Sequence, residues 1–124
     1  VYFVINLNNR KKDIRKFISL IEKSIIDTLK EYNIKVFSDK KNIGIWFKKN
    51  NKIKKIGSIG LRVKKWIVYH GFSLNIKNNL KPYNKIIPCG IKDKEVTTLN
   101  NIKKQNYSKI SNSLEKNLIK NLKF

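Results

Sequence analysis

The amino-acid sequence reads as an α/β domain, and three observations carry that reading. Two segments, roughly Lys11 to Tyr32 and Tyr107 to Leu122, repeat apolar residues at the spacing of one helix face. Between them, the stretch from Lys52 to Ile76 alternates and is rich in β-branched residues, punctuated by Gly57, Gly60 and Gly71. The N-terminal VYFVINL, Val1 to Leu7, has the β-branched and aromatic composition of a further strand.

The elements follow in order. The first helix presents Ile14, Phe17, Ile18, Ile21, Ile25 and Leu29 as one stripe, and Asn33 is its expected stop. Ile34 to Phe37 and Ile43 to Phe47 read as short strands around a turn-like SDKKN segment, with Asn50-Asn51 as the next turn. The glycine-punctuated stretch predicts two or three strands, with glycine where the backbone must bend or something must approach closely. Lys81 to Lys85 reads as a helical turn, and Ile86-Ile87 leads into a Pro88-Cys89-Gly90 turn. Val96 to Leu99 reads as a short extended piece. The last helix turns Ile110, Leu114, Leu118 and Leu122 to one side. No internal repeat is present, and the Lys/Asn bias runs throughout, so it marks no domain boundary.

At 124 residues and 40% hydrophobic, the chain is expected to form one small domain with a modest core. No apolar run approaches the roughly 18 residues that a membrane span needs. The N-terminus lacks the basic start, apolar stretch and cleavage site of a secretory signal. A single cysteine cannot form an internal disulfide, which points to a reducing, cytoplasmic location. The sequence contains no methionine, so Val1 is not expected to be a translation start.

The formal charge of +21 raises a basic nucleic-acid-binding domain as one reading. Only three of the 29 basic residues, Arg10, Arg15 and Arg62, are arginine, the residue favoured for bidentate contacts to phosphate and guanine. The abundance of Lys, Asn and Ile, and the absence of Ala, fits A/T-rich coding bias acting on solvated positions. Nucleic acid is therefore not expected as a partner, though a basic face suits acidic proteins.

Few residues can carry chemistry. A structural zinc site wants four Cys/His ligands, and the chain has one of each, Cys89 and His70. No Ser-His-Asp signature surrounds His70, and the glycines do not fit a P-loop. Cys89 is the candidate nucleophile, because a thiol on a Pro-Cys-Gly turn is poorly placed to fill a core. A lone cysteine is nonetheless more often a buried structural residue. As a nucleophile it needs a neighbouring cation or base, since an ordinary thiol is only a few per cent thiolate at neutral pH. His70 is the default by residue type, although a lone histidine at a strand end is more often a structural hydrogen-bonding residue. Any of the lysines is the other choice, and composition does not select among them.

Five motifs in order narrow that choice: Gly44-Ile45-Trp46, Lys55 to Val63 (KIGSIGLRV), His70 to Asn75 (HGFSLN), Pro88-Cys89-Gly90 and Val96 to Leu99 (VTTL). With their spacing undisturbed, they resemble the lipoate-protein ligase B family, the octanoyl-[acyl-carrier-protein]:protein N-octanoyltransferases. The resemblance covers most of the chain. It implies an α/β fold with a mixed sheet and flanking helices, like the biotin/lipoate protein ligase catalytic domain, with residues 1–124 as one partial domain. It further implies transfer of an octanoyl group from octanoyl-acyl carrier protein to a lysine of lipoyl domains, the first step of protein lipoylation. The acceptors implied are the lipoyl domains of 2-oxoacid dehydrogenase E2 subunits and the glycine cleavage H protein.

By the same resemblance Cys89 matches the nucleophile that forms an acyl thioester, and Lys55 the lysine that lowers the thiol pKa and assists proton transfer. Ser58, Ile59 and Gly60, with Gly71, Phe72 and Ser73, match the stretches that line the acyl site. His70 and Asn75 match supporting positions. No metal, nucleotide or cofactor is implied, because the donor arrives as a thioester, and a monomer is expected. The family's Arg-Gly-Gly … Thr-Tyr-His-Gly-Pro-Gly-Gln loop, which shapes the acyl pocket, precedes the strand that begins here at Val1. The chain is thus expected to hold the catalytic pair without the complete pocket. Gly57 stands where alanine or another small residue is usual. A non-catalytic relative that binds lipoyl domains is disfavoured by retention of both Lys55 and Cys89.

Overall fold

Asparagine sets three corners of this fold. The computed structural model describes residues 1–81 and 95–123. In it Asn33, Asn50 and Asn51 take φ values of 58°, 52° and 63°, in the left-handed region that asparagine tolerates better than most residues. The elements are β1 (Tyr2–Asn6), α1 (Ile14–Glu31), β2 (Ile45–Lys49), β3 (Lys52–Lys64), β4 (Ile67–Leu74), β5 (Glu95–Val96), α2 (Leu99–Ile102) and α3 (Ile110–Leu122).

Helix α1 begins three residues later than its apolar spacing predicts. Asp13 caps it, its side chain accepting from the Lys16 N–H at 3.0 Å. The predicted stop at Asn33 is borne out in detail. Asn33 N–H donates to Lys30 O at 3.0 Å and Ile34 N–H to Leu29 O at 2.9 Å, the paired bonds of a left-handed helix terminus. Ile34 to Phe37 is not a strand. It makes one isolated bridge, Phe37 opposite Trp46, because it runs out of partner as soon as it leaves the helix end.

Asn50-Asn51 closes the β2–β3 hairpin, with Lys49 opposite Lys52. The stretch expected to hold two or three strands forms two long ones. Their turn, Lys65-Trp66, also has positive φ values, 50° and 64°, without the Asn or Gly that would announce it. The sheet order is β1-β4-β3-β2, all antiparallel, and β5 pairs parallel to β3 at Lys54–Glu95 and Lys55–Val96. The sheet is therefore mixed, with flanking helices, as the resemblance implies. Val96 to Leu99 is extended only in part. Thr98 caps the short helix α2, its Oγ1 accepting from Asn101 N–H at 3.1 Å. The predicted turns over 82–90 lie outside the described residues.

The core lies between one sheet face and the pair α1 and α3. Phe17, Ile21, Ile25 and Leu29 of α1 meet Ile110, Leu114 and Leu122 of α3, over Ile5, Ile45, Ile56, Val68 and Phe72 of the sheet. No helix among the described residues is long and apolar enough to cross a membrane. The α1–α3 seam is not purely apolar. Buried Asn117 donates to Thr28 Oγ1 at 2.9 Å and to Glu31 Oε1 at 3.1 Å, and Asn121 donates to Ser24 Oγ at 3.1 Å and Asp27 Oδ2 at 3.2 Å. The apolar periodicity gives no sign of this polar stitch. Asn117→Ala is expected to cost about 1–3 kcal/mol, because it removes both bonds inside a packed seam. Urea unfolding monitored by circular dichroism measures it.

Candidate active site

Lys55 is the point around which the site is built. It is 2% exposed, and it is the one lysine in the buried set among the described residues. A bulge puts it where it is. Ile45 pairs with Gly57, but the next residue, Trp46, pairs with Lys55, so Ile56 has no partner on β2. The inserted residue resets the alternation of β3. Ile56 belongs to the core beneath the helices, and a Cβ on Gly57 would meet the core residue Ile45 at 3.1 Å. Lys55 then turns to the opposite sheet face, the one that carries Ser58 and Gly60.

Its surroundings there are specific. The Lys55 ammonium lies 5.4 Å from the ring centroid of Trp46, which is 1% exposed and outside the core cluster. A cation over an indole face at this distance is attracted by the ring quadrupole. Gly44, with φ of 146°, presses its backbone against the lysine stem. A Cβ there would stand 2.7 Å from Lys55 Cε and 2.9 Å from Gly57 O, so only glycine fits. On the other side Lys55 O accepts from Thr97 N–H at 2.9 Å, just after β5.

Trp46 is itself tied down. Its indole N–H donates to Asn42 O at 2.9 Å, and Phe37 exchanges two 2.9 Å backbone bonds with it. Asp39 organises the same loop, accepting from Lys41 N–H at 2.9 Å and Asn42 Nδ2 at 3.1 Å. From α1, the buried Glu22 carboxylate comes near the same loop at Gly44. Burial pushes the Glu22 carboxyl up from its ordinary value of 4.5; the nearby Gly44 backbone N–H dipole opposes that shift and the Asp39 charge adds to it. The neighbouring Asp27 is held below its ordinary value chiefly by its hydrogen bond from Lys23, at 2.7 Å.

The other residues singled out by sequence fall as follows. Ser58 pairs with Ser73, Ile59 with Phe72 and Gly60 with Gly71, so the two triplets meet across one antiparallel ladder. They do not share a face. Phe72 is in the core and Ile59 packs against it, whereas Ser58, Gly60 and Ser73 are on the open side. A Cβ at Gly60 would meet nothing within 4 Å, which leaves room above it. At Gly71 the space is taken: a Cβ would lie 2.1 Å from Val1 O. His70 is exposed, with φ of 72°, and its ring centroid lies 5.0 Å from that of Tyr69. Asn75 is buried and joins strand to helix, donating from N–H to Ile56 O at 2.8 Å and accepting from Leu99 N–H at 2.9 Å. Cys89 lies outside the described residues. The residue that sequence reasoning missed is Glu22. Its signal was available, because a carboxylate between Ile21 and Ile25 sits on the border of the apolar stripe.

The catalytic domain of the lipoyl protein ligases A and B matches residues 1–118. This chain belongs to that family. It is 42% identical over 105 residues to an octanoyltransferase of Rickettsia bellii (strain OSU 85-389), covering 82% of this chain and 50% of the relative. An octanoyltransferase of Zymomonas mobilis is 41% identical over 104 residues, covering 84% of this chain and 48% of its own. The chain spans about half the length of the curated relatives it matches. Among solved structures, the apo biotin protein ligase of Aquifex aeolicus superposes with a TM-score of 0.72 at 22% identity, over 98% of this chain and 51% of that one. A lipoate-protein ligase A bound with ATP superposes with a TM-score of 0.71 at 12% identity, over 98% and 51%. These two likenesses establish the shared ligase catalytic-domain fold of the family.

The Glu22 environment predicts a pH dependence. With its folded pKa above 4.5, the folded state holds this proton more tightly than the unfolded one, so stability falls as pH rises through the window just above 4.5. Asp27 works in the opposite direction, its contribution present above 3.8 and lost as pH falls. Glu22→Gln is expected to remove the first slope, gaining on the parent protein as pH rises above 4.5. Thermal midpoints measured across that range test the sign.

Proposed function

We propose that this chain carries the catalytic pair of an octanoyltransferase, with Cys89 as nucleophile and Lys55 as its activator. The donor is octanoyl-acyl carrier protein and the acceptor a lysine of a lipoyl domain, on a 2-oxoacid dehydrogenase E2 subunit or the glycine cleavage H protein. The single observation that carries the reading is a lysine buried on the open sheet face beside the strand to which the chain returns after Cys89. Val96, the register partner of Lys55, is only seven residues beyond Cys89. Seven residues reach at most about 25 Å when fully extended, a span that is compatible with pairing Cys89 and Lys55.

The chemistry follows from that pairing. The Lys55 ammonium stabilises the Cys89 thiolate, which attacks the donor thioester carbonyl. The tetrahedral intermediate collapses as the carrier's sulfur leaves with a proton from the Lys55 ammonium, so the carrier departs as a thiol, Lys55 is left as the neutral amine, and the octanoyl group remains on Cys89. The acceptor lysine then attacks this new thioester through its amine. The neutral Lys55 amine takes the proton that the attacking amine loses, the Cys89 thiolate leaves, an amide is formed, and the ammonium–thiolate pair is restored. Ser58, Gly60 and Ser73 supply the floor over which the acyl chain lies, and Gly60 has the open space for it. Ile59, Phe72 and Gly71 shape that floor through the backbone, since their outward space is core or occupied. The basic surface suits acidic carrier and lipoyl domains. The octanoyltransferase relatives favour this reading over nucleic-acid binding.

Incubation with octanoyl-acyl carrier protein is expected to give an octanoyl adduct on Cys89 by intact mass and peptide mapping, and none in Cys89→Ser. An adduct on another residue, or no adduct, overturns the assignment of the nucleophile. Lys55→Ala is expected to slow iodoacetamide alkylation of Cys89 near pH 7 by about tenfold for each unit by which the thiol pKa rises. An unchanged alkylation rate removes the activating role.

A further inference from the structure

Trp46 is the largest side chain that is almost fully buried among the described residues, yet it takes no part in the core cluster. We infer that Trp46 is a positioning residue for Lys55, its ring face holding the ammonium in one place on the open side of the sheet. The inference rests on the activating role of Lys55 proposed above.

Three observations carry it. The ring stands where a cation is held, with Lys55 Nζ 5.4 Å from its centroid, and of the aromatic side chains the indole attracts a cation most strongly. The ring is also fixed in its own place. Trp46 is the register partner of Lys55 just past the bulge, its backbone exchanges two 2.9 Å bonds with Phe37, and its indole N–H donates to Asn42 O at 2.9 Å. Asn42 is held in turn, since its Nδ2 donates to Asp39 Oδ2 at 3.1 Å. The lysine stem is confined separately, because the Gly44 backbone leaves so little room that a Cβ would stand 2.7 Å from Lys55 Cε. A lysine side chain is flexible and gives up much entropy when it is ordered. Packing at Cε limits the path of the stem, and the ring selects where the ammonium ends. Without the ring face the ammonium spreads over several positions and stabilises a neighbouring thiolate less.

A tryptophan that only filled space would support the fold without acting on the lysine, and the two roles differ in what they require of the ring. Filling needs bulk, which leucine supplies in part; holding the ammonium needs the negative ring face, which leucine lacks. Ring fluorination separates them further, since it drains the negative face while changing the size of the ring little. The charged residues on the surrounding elements are Glu22 on α1, Asp39 and Lys41 on the 38–44 loop, Lys48 on β2, and Lys54 on β3 with Glu95 on β5, 3.5 Å apart. A substitution at Trp46 leaves all of these charges in place. A change in how Cys89 titrates then comes through the Lys55 ammonium rather than from a charge gained or lost.

The test is the pH profile of Cys89 alkylation by iodoacetamide in the full chain, with circular dichroism as the control for folding. Trp46→Leu is expected to raise the midpoint of the profile in the same direction as Lys55→Ala and by less, slowing alkylation several-fold near pH 7. Trp46→Phe, which keeps a weaker aromatic face, is expected to fall between Trp46→Leu and the parent. Site-specific replacement of Trp46 by tryptophans carrying one to four ring fluorines is expected to slow alkylation stepwise with each fluorine. In a Lys55→Ala background these changes at Trp46 are expected to add nothing. A profile that stays flat across the fluorinated series, while Lys55→Ala shifts it, overturns the positioning role and leaves the Lys55 reading standing. Additive shifts in the Lys55→Ala background also overturn it. If Lys55→Ala itself leaves the profile unchanged, the activating role of Lys55 has failed, and the positioning role fails with it. Should Trp46→Leu not fold, the fluorinated series decides.

Discussion

A lysine held almost out of water is the constraint on which the rest of the structure depends. Removing an ammonium from solvent costs several kcal/mol even after relaxation, so its surroundings must return most of that. Here the return comes from an aromatic face, worth up to about 2 kcal/mol when desolvated, and from close backbone packing that leaves no void beside the stem. The Trp46 ring and the Gly44 backbone supply these, and both lie in the same short segment. That segment can do so only because it is irregular. A regular strand through 42–46 would have no reason for a glycine at φ of 146° and could not fold back over a neighbouring side chain.

The bulge at Ile56 is the second consequence. In an uninterrupted ladder, Lys55 would share the helix-covered face with Gly57 and Ile59, where a charge has no aromatic partner. One inserted residue moves it to the other face while Ile56 fills the core. The sheet thus has two uses. One face is covered by α1 and α3 and holds the fold together. The other carries the lysine, the serines and the open glycine, and the long β3 belongs to both. β3 also meets β5 at Lys55 itself, so the strand that positions the lysine fixes the return of the chain from Cys89 as well.

Much of this was legible in the sequence, and the gaps have physical causes. The helices were visible because burial on one face imposes a 3.6-residue period, and the Asn50-Asn51 turn because asparagine tolerates positive φ. The Lys65-Trp66 turn was not, since there the tertiary hairpin overrides local preference. The strand expected over Ile34 to Phe37 failed because strand propensity needs a partner, and only Phe37 has one. The site was legible as a set of motifs, including the two triplets that meet across β3 and β4. That Ile59 and Phe72 face the core was not, because the alternation of β3 is reset at Ile56, a change that no residue type announces. Glu22 escaped notice as one carboxylate on a helix, its burial being set by the loop that packs near it.

The same logic explains why charge misleads here while burial informs. The chain carries 29 basic residues, and a solvated lysine costs little and can arise from coding bias alone. Counting them therefore says nothing about which one works. Lys55 differs because its position is unfavourable by itself and is packed against a glycine and an indole from another segment of the chain. A protein of marginal stability does not keep such an arrangement for the fold, since a buried leucine on that strand would serve the fold better. Stability spent to hold one cation out of water is what the proposed role of Lys55 in activating a thiol would account for.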